Sequence, residues 1–150
     1  MTDQGLKELG DRFVKDLKDQ FVLKRLNDTG EAMNSLSAEA TNGKLIISGL
    51  ARVLFLEYGR KAGTMPPVAV IRAWVQRKLN VPEDELDSVA FLIARKIQRE
   101  GTNILTDRTK GLQIELVLQN LYDELSEIVI NFEAQQITDG LFKTWKNGNN

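Results

Sequence analysis

The sequence predicts a single α+β domain, mostly helical, over residues 1–150: an N-terminal amphipathic helix, a β-hairpin, a helical pair and a long C-terminal helix. Three observations lead there. Apolar residues recur every three or four positions through most of the chain, the period of helices with one buried face. One Asn-Gly pair, Asn42-Gly43, stands between two short strand-like runs. No internal repeat, low-complexity tract or linker divides the 150 residues, a length that suits one domain around one core.

The elements follow in order. Over residues 3–27, Leu6, Leu9, Phe13, Leu17 and Phe21 share one face between charged positions, which predicts an amphipathic helix. Asn27-Asp28-Thr29-Gly30 supplies loop formers, with Gly30 providing the positive φ common at a helix C-terminus. Residues 34–40 alternate Leu36, Ala38 and Ala40 with polar neighbours, and residues 44–48 read KLIIS. Asn-Gly tolerates positive φ at both central positions of a type I′ turn, whose twist matches paired strands, so a hairpin is predicted here. A lone hairpin is marginal in water, and Leu36, Leu45 and Ile47 therefore need helices or a further strand to pack on.

Residues 50–58 predict a short buried helix with Leu50, Val53, Leu54 and Tyr58 inward and Arg52 in water, stopped by Gly59. Pro66 and Pro67 suit the first turn of the next helix, whose stripe is Val68, Ile71, Trp74, Val75 and Leu79. Behind Pro82, the acids Glu83, Asp84 and Glu85 complement the positive end of a helix dipole. That helix presents Leu86, Val89, Ala90, Ile93 and Ile97 to the core and stops at Gly101. Residues 102–111, TNILTDRTKG, have no period and predict a loop or extended arm. Ile114, Leu118, Leu121, Leu125, Ile128 and Phe132 then step by four and three, a heptad seam expected to be buried at home. The period breaks near Gln135-Gln136, and Asp139-Gly140 predict a bend or split, so residues 136–150 are expected to form a C-terminal interaction arm. Trp145 lies there with little local material to cover it, which points to an intermolecular contact.

Composition narrows the chemistry. With neither Cys nor His, the chain has no disulfide, thiolate nucleophile, thiolate zinc site or Ser-His pair. No cofactor is expected, and the chain is not expected to be an enzyme. A carboxylate-metal hydrolase using Glu57 and Asp84 is the one catalytic arrangement still open, and the acids at 83–87 are already accounted for by helix capping. The GRKAGT stretch, residues 59–64, fails the phosphate-loop pattern because three residues separate its glycines and no Lys precedes Thr64. Apolar runs such as residues 53–56 are too short to cross a bilayer, and the first residues carry no apolar signal core, so folding is expected in a cytoplasm.

Charge is uneven along the chain. Residues 60–110 hold ten Lys or Arg against six acids, whereas residues 111–150 hold two against six. One consequence is a head-to-tail contact in which one copy's basic surface meets the next copy's acidic one and the set closes into a ring. The alternative is a nucleic-acid-binding helical module whose basic face is Arg60, Lys61, Arg72, Arg77, Lys78, Arg95, Lys96 and Arg99. A pI of about 5.6 weighs against it, as does the lack of aromatic residues expected to be exposed among these cations, Trp74 being assigned to the core stripe.

The stretch Leu56-Glu57-Tyr58-Gly59-Arg60, a glycine-bearing basic loop, and Met65-Pro66 resembles the tail-completion or neck proteins of tailed bacteriophages, with an Asn-Gly hairpin and an amphipathic helix ahead of it. The motif covers roughly residues 30–70 and the order of elements 5–135. Here Pro67-Val68 open a helix where many relatives carry an aromatic-proline segment, and residues 71–75 and 90–97 look like a helical pair inserted in a longer variant. The resemblance implies a non-enzymatic virion protein, assembled in the host cytoplasm into a ring of six or twelve copies at the neck. Its partners would be itself and portal, adaptor or tail-tube proteins, with DNA only as cargo and no membrane. It also implies that Glu57, Tyr58, Arg60, Lys61, Arg108, Lys110 and Trp145 face a neighbouring subunit.

Overall fold

The computed structural model describes the backbone of residues 1–148 and the side chains of residues 1–141 and Lys143. Helix α1, Asp3–Leu23, begins at Thr2, whose hydroxyl accepts from the Gly5 amide at 3.2 Å. Its inner face is Leu9, Phe13, Val14, Leu17 and Phe21, all buried. The helix ends at Leu23, four residues before the sequence expectation, because the positive-φ residue that closes it is Arg25, φ 55°, and Gly30 takes its own positive φ beyond the helix end. The Leu26 amide donates to Phe21 O and the Arg25 amide to Val22 O, the paired bonds of a Schellman cap. Gly30, φ 83°, precedes the single turn α2, Glu31–Asn34, in place of an early start to the first strand.

Strands β1, Ser37–Thr41, and β2, Lys44–Ser48, form an antiparallel hairpin in the predicted register, Thr41 opposite Lys44 and Ser37 opposite Ser48. Asn42 at φ 52° and Gly43 at φ 73° make the type I′ turn. The partner the hairpin needed is α1, which packs on both strands. Gly10 allows this closeness: a Cβ there would lie 2.8 Å from the Ala38 Cβ and 2.5 Å from a Leu45 methyl. At the tip, the Asp3 carboxylate accepts from the Asn42 and Gly43 amides at 3.0 and 2.8 Å, so the start of α1 also holds the turn.

Helix α3, Arg52–Tyr58, buries Val53 of the predicted stripe and, beside it, Glu57. Leu50, Leu54 and Tyr58 are exposed, because two turns of helix can turn only one narrow side inward and Val53 and Glu57 occupy it. Helices α4, Val68–Lys78, and α5, Leu86–Glu100, pack against each other, with a 3-10 turn at Glu83–Glu85 ahead of α5. Val75, Leu86, Ala90 and Ala94 are buried between charged and apolar outer faces, while Trp74 and Leu79 of the predicted stripe are exposed. Residues 102–111 are not extended: α6, Asn103–Thr106, and a 3-10 turn at Arg108–Lys110 fold this segment into two compact turns.

The remaining helix, α7, runs from Ile114 to Gly148 without a split at Asp139-Gly140. At 1.5 Å per residue its 35 residues extend over about 52 Å. The chain divides into two compact units, Met1–Ile114 and Glu115–Asn150. Within the second unit the seam expected to be buried is largely in water: Leu118, Ile128 and Phe132 are exposed, as are Leu116, Val129, Ile130, Ile137 and Leu141. Periodicity reports which residues share a face, and it is silent on what covers that face.

Candidate assembly corner

The break after α3 is a corner built by backbone contacts between segments far apart in sequence. Gly59 ends α3 with φ 75° and ψ −179°, a conformation essentially restricted to glycine. A Cβ on Gly59 would meet the Leu105 amide nitrogen at 2.6 Å and the Thr102 hydroxyl at 2.8 Å. Gly101, at φ 79° and ψ −167°, is its counterpart after α5, and a Cβ there would fall 2.5 Å from Arg60 O. The two glycines let residues 60 and 102 clasp: the Arg60 amide donates to Thr102 Oγ1 at 2.8 Å and the Thr102 amide to Arg60 O at 2.9 Å. One step further, the Gly63 amide donates to Gln98 O at 2.7 Å.

Glu57 is the buried acid of the corner, 4% exposed. Its Oε2 accepts from the Ile114 amide at 3.0 Å, while the Leu112 amide donates to Leu56 O at 3.1 Å. A carboxylate on the first free amide of α7 satisfies an orphan donor and sits at the positive end of that helix's dipole. Gln113, φ 56°, turns the chain into α7, and its side chain accepts from Lys24 Nζ at 2.8 Å. The same ammonium bonds Thr109 O, so the end of α1 fastens the same segment.

The corner gathers several of the residues proposed for a subunit contact. Tyr58 is exposed and the Arg108 guanidinium lies over its ring, 4.6 Å from the centroid, a cation–π contact on the outer surface. Arg60 donates from its guanidinium to Thr64 O at 3.3 Å and is half-buried, while Lys61 and Lys110 are exposed. Lys110 stands 3.7 Å from the Asp107 carboxylate, whose pKa is held below its ordinary value chiefly by the Thr109 hydroxyl. Trp145 and the other side chains of 144–150 lie outside the described residues, so the corner gathers Glu57, Tyr58, Arg60, Lys61, Arg108 and Lys110 alone. Thr102 and Lys24 were not singled out from the sequence. Thr102 follows a helix-ending glycine, the one signal that could have marked it.

Of the cations of the alternative reading, Arg60, Arg72, Arg77, Lys78 and Arg99 make intrachain contacts, while Lys61, Arg95 and Lys96 are exposed. Arg72 pairs with Asp87 at 2.6 Å and Glu83 at 2.9 Å. Arg77 forks onto Asp28 at 3.0 and 2.5 Å, and Lys78 donates to Asn27 O. Asp28 and Arg77 line a cavity of about 290 Å³ with Phe21, Leu26, Phe55 and Val70. Arg77 lowers the Asp28 carboxyl below its ordinary value, against partial burial that pushes the other way. A depressed carboxyl pKa adds stability above the unfolded value of about 3.9, lost as pH falls through the folded value. Arg77→Met is therefore expected to lower the thermal midpoint by a few degrees at pH 7, and the gap from wild type should narrow as the Asp28 carboxyl is protonated in acid, as followed by circular dichroism. A gap independent of pH would assign the loss to packing.

No protein-family model, curated protein or solved structure matches the chain. Its function therefore rests on the residues themselves. Among the described residues no three His, Cys, Asp or Glu side chains gather as a metal site, and no helix is long and apolar enough to cross a membrane.

Proposed function

We propose that the chain is a structural virion protein, a ring-forming head-to-tail connector or tail-completion subunit between portal and tail of a tailed phage. The observation that carries this is the apolar surface of α7: Leu116, Leu118, Ile130, Phe132, Ile137 and Leu141 are each more than 40% exposed on one helix. A single chain leaves that surface in water, where at roughly 25 cal/mol per Å² it favours association. The opposed charge of residues 60–110 and 111–150 suits a head-to-tail joint between identical copies, which closes into a ring when the rotation permits. The Leu56–Pro67 corner supports the neck in particular, through its resemblance to tail-completion proteins.

In this role the corner holds Ile114, the first residue of α7, and Tyr58 and Arg108 provide an outer contact for an adjacent subunit or ring. Six or twelve copies would surround the DNA as it passes, meeting portal, adaptor or tail-tube proteins on their two faces. The decisive experiment is negative-stain microscopy of concentrated protein beside antibody-labelled virions of a phage that encodes it. Closed rings, or label at the neck, are expected. Dispersed monomers without virion label would remove the reading.

A further inference from the structure

Two exposed helix faces in the chain are opposite in charge, and each carries apolar residues. On α5, the face away from Leu86, Ala90 and Ala94 carries two rows one turn apart, Phe91-Arg95-Arg99 and Leu92-Lys96. All five side chains are exposed. Arg99 makes an ion pair with its neighbour Glu100 at 2.5 Å, a solvent-exposed contact of the kind that contributes little.

On α7, Leu116, Asp123, Ile130 and Ile137 recur every seven residues, about two turns, so they share a face, with Glu127 beside it. At about 100° per residue this face lies about 170° from the Leu118–Leu121–Leu125 seam. It is a second apolar surface with acids set into it. No Lys or Arg occurs between residues 111 and 142, so two α7 helices laid together on this face would bring like charges into contact. A basic apolar face is the partner that its chemistry fits.

We infer that the Asp123–Ile137 face of α7 docks antiparallel on the Phe91–Arg99 face of α5 in a second copy of this chain. The register follows from the spacings. With Phe91 against Ile130, Arg95 falls opposite Glu127, three to four residues along, and Arg99 opposite Asp123, seven to eight along. In the parallel direction the same apolar match would set Arg95 near Glu133 but leave Arg99 opposite Ile137 and Thr138, so only the antiparallel register pairs both arginines with acids. Asp123 accepts from Gln119 of its own helix at 2.8 Å, a surface bond that leaves carboxylate lone pairs for an arginine. Because α5 and α7 differ, the contact is heterologous, and each copy offers one face and receives on the other.

This contact rests on the reading of the chain as a self-assembling subunit, and charge reversal tests it separately. Sedimentation velocity of the full chain over a wide concentration range is the measurement, for wild type, for Arg95→Glu with Arg99→Glu, and for Asp123→Lys with Glu127→Lys. Wild-type mass is expected to rise with concentration and to fall with salt. Each double variant alone should associate about ten-fold more weakly or worse. Mixed in equal amounts the two should regain wild-type assembly, since each then finds opposite charge on both faces, and recovery also shows that both are folded. Monomers at every wild-type concentration, variants that assemble like wild type, or a mixture no better than its parts would each overturn the contact. Rings that persist unchanged in both variants overturn it and leave the neck reading standing. Charge-dependent pairing that never closes into rings supports the contact and removes the neck reading.

Discussion

Gly59→Ala is expected to be among the most destabilising single substitutions in the chain, by about 3 kcal/mol or more, on the order of 10 °C in the unfolding midpoint for a protein of this size. Two costs coincide there. The backbone at φ 75° and ψ −179° is strained for any residue with a Cβ, and that Cβ would strike the Leu105 amide at 2.6 Å, a backbone atom that cannot turn aside. Gly43→Asn is the matched comparison. Its φ of 73° is also positive, but nothing lies within 4 Å of a Cβ there, and Asn tolerates the left-handed region. Urea unfolding should therefore place Gly43→Asn within about 1 kcal/mol of wild type. Equal losses at the two positions would mean that backbone strain alone, and not the clasp, limits the corner.

Glu57→Ala carries the second large effect, about 2 to 4 kcal/mol. A hydrogen bond to a charged acceptor contributes about 1.5–3 kcal/mol, and its removal leaves the Ile114 amide unpaired beside a new cavity. Glu57→Gln keeps an oxygen in place and should recover about half of that loss, the remainder being the charge at the helix end. Amide hydrogen exchange resolves the cause. Exchange at Ile114 should accelerate in Glu57→Ala and remain close to wild type in Glu57→Gln. Unchanged exchange at Ile114 in Glu57→Ala would show that the carboxylate does not hold the start of α7.

The hairpin was legible because its determinants are local: Asn42-Gly43 specify the turn, and alternation on either side specifies the register. The helices were legible for the same reason, apart from their ends. Arg25 in the left-handed region shortened α1, since the cap is set by Leu26 returning to Phe21 and that return can be made without glycine. The corner was marked by composition yet not explained by it. Gly59 needs its special backbone because of Thr102 and Leu105, more than forty residues away, and no pattern within residues 56–67 carries that information. Glu57, expected from the sequence to face a neighbouring subunit, is buried against its own chain, and only Ile114 beside it gives the reason. The seam on α7 shows the opposite limit, because Leu118 and Phe132 have the spacing of core residues and are exposed.

The clasp between Arg60 and Thr102 means that the chain leaves and re-enters at one point, with α4 and α5 strung between. Outside that neck, the pair is latched to the rest of its unit by Arg77 and Lys78 on residues 27 and 28. Such a segment behaves as a cassette. Its two ends are held together by the clasp, so that a change of length or outer surface between the two glycines is expected to leave the paths of α1 and the hairpin in place.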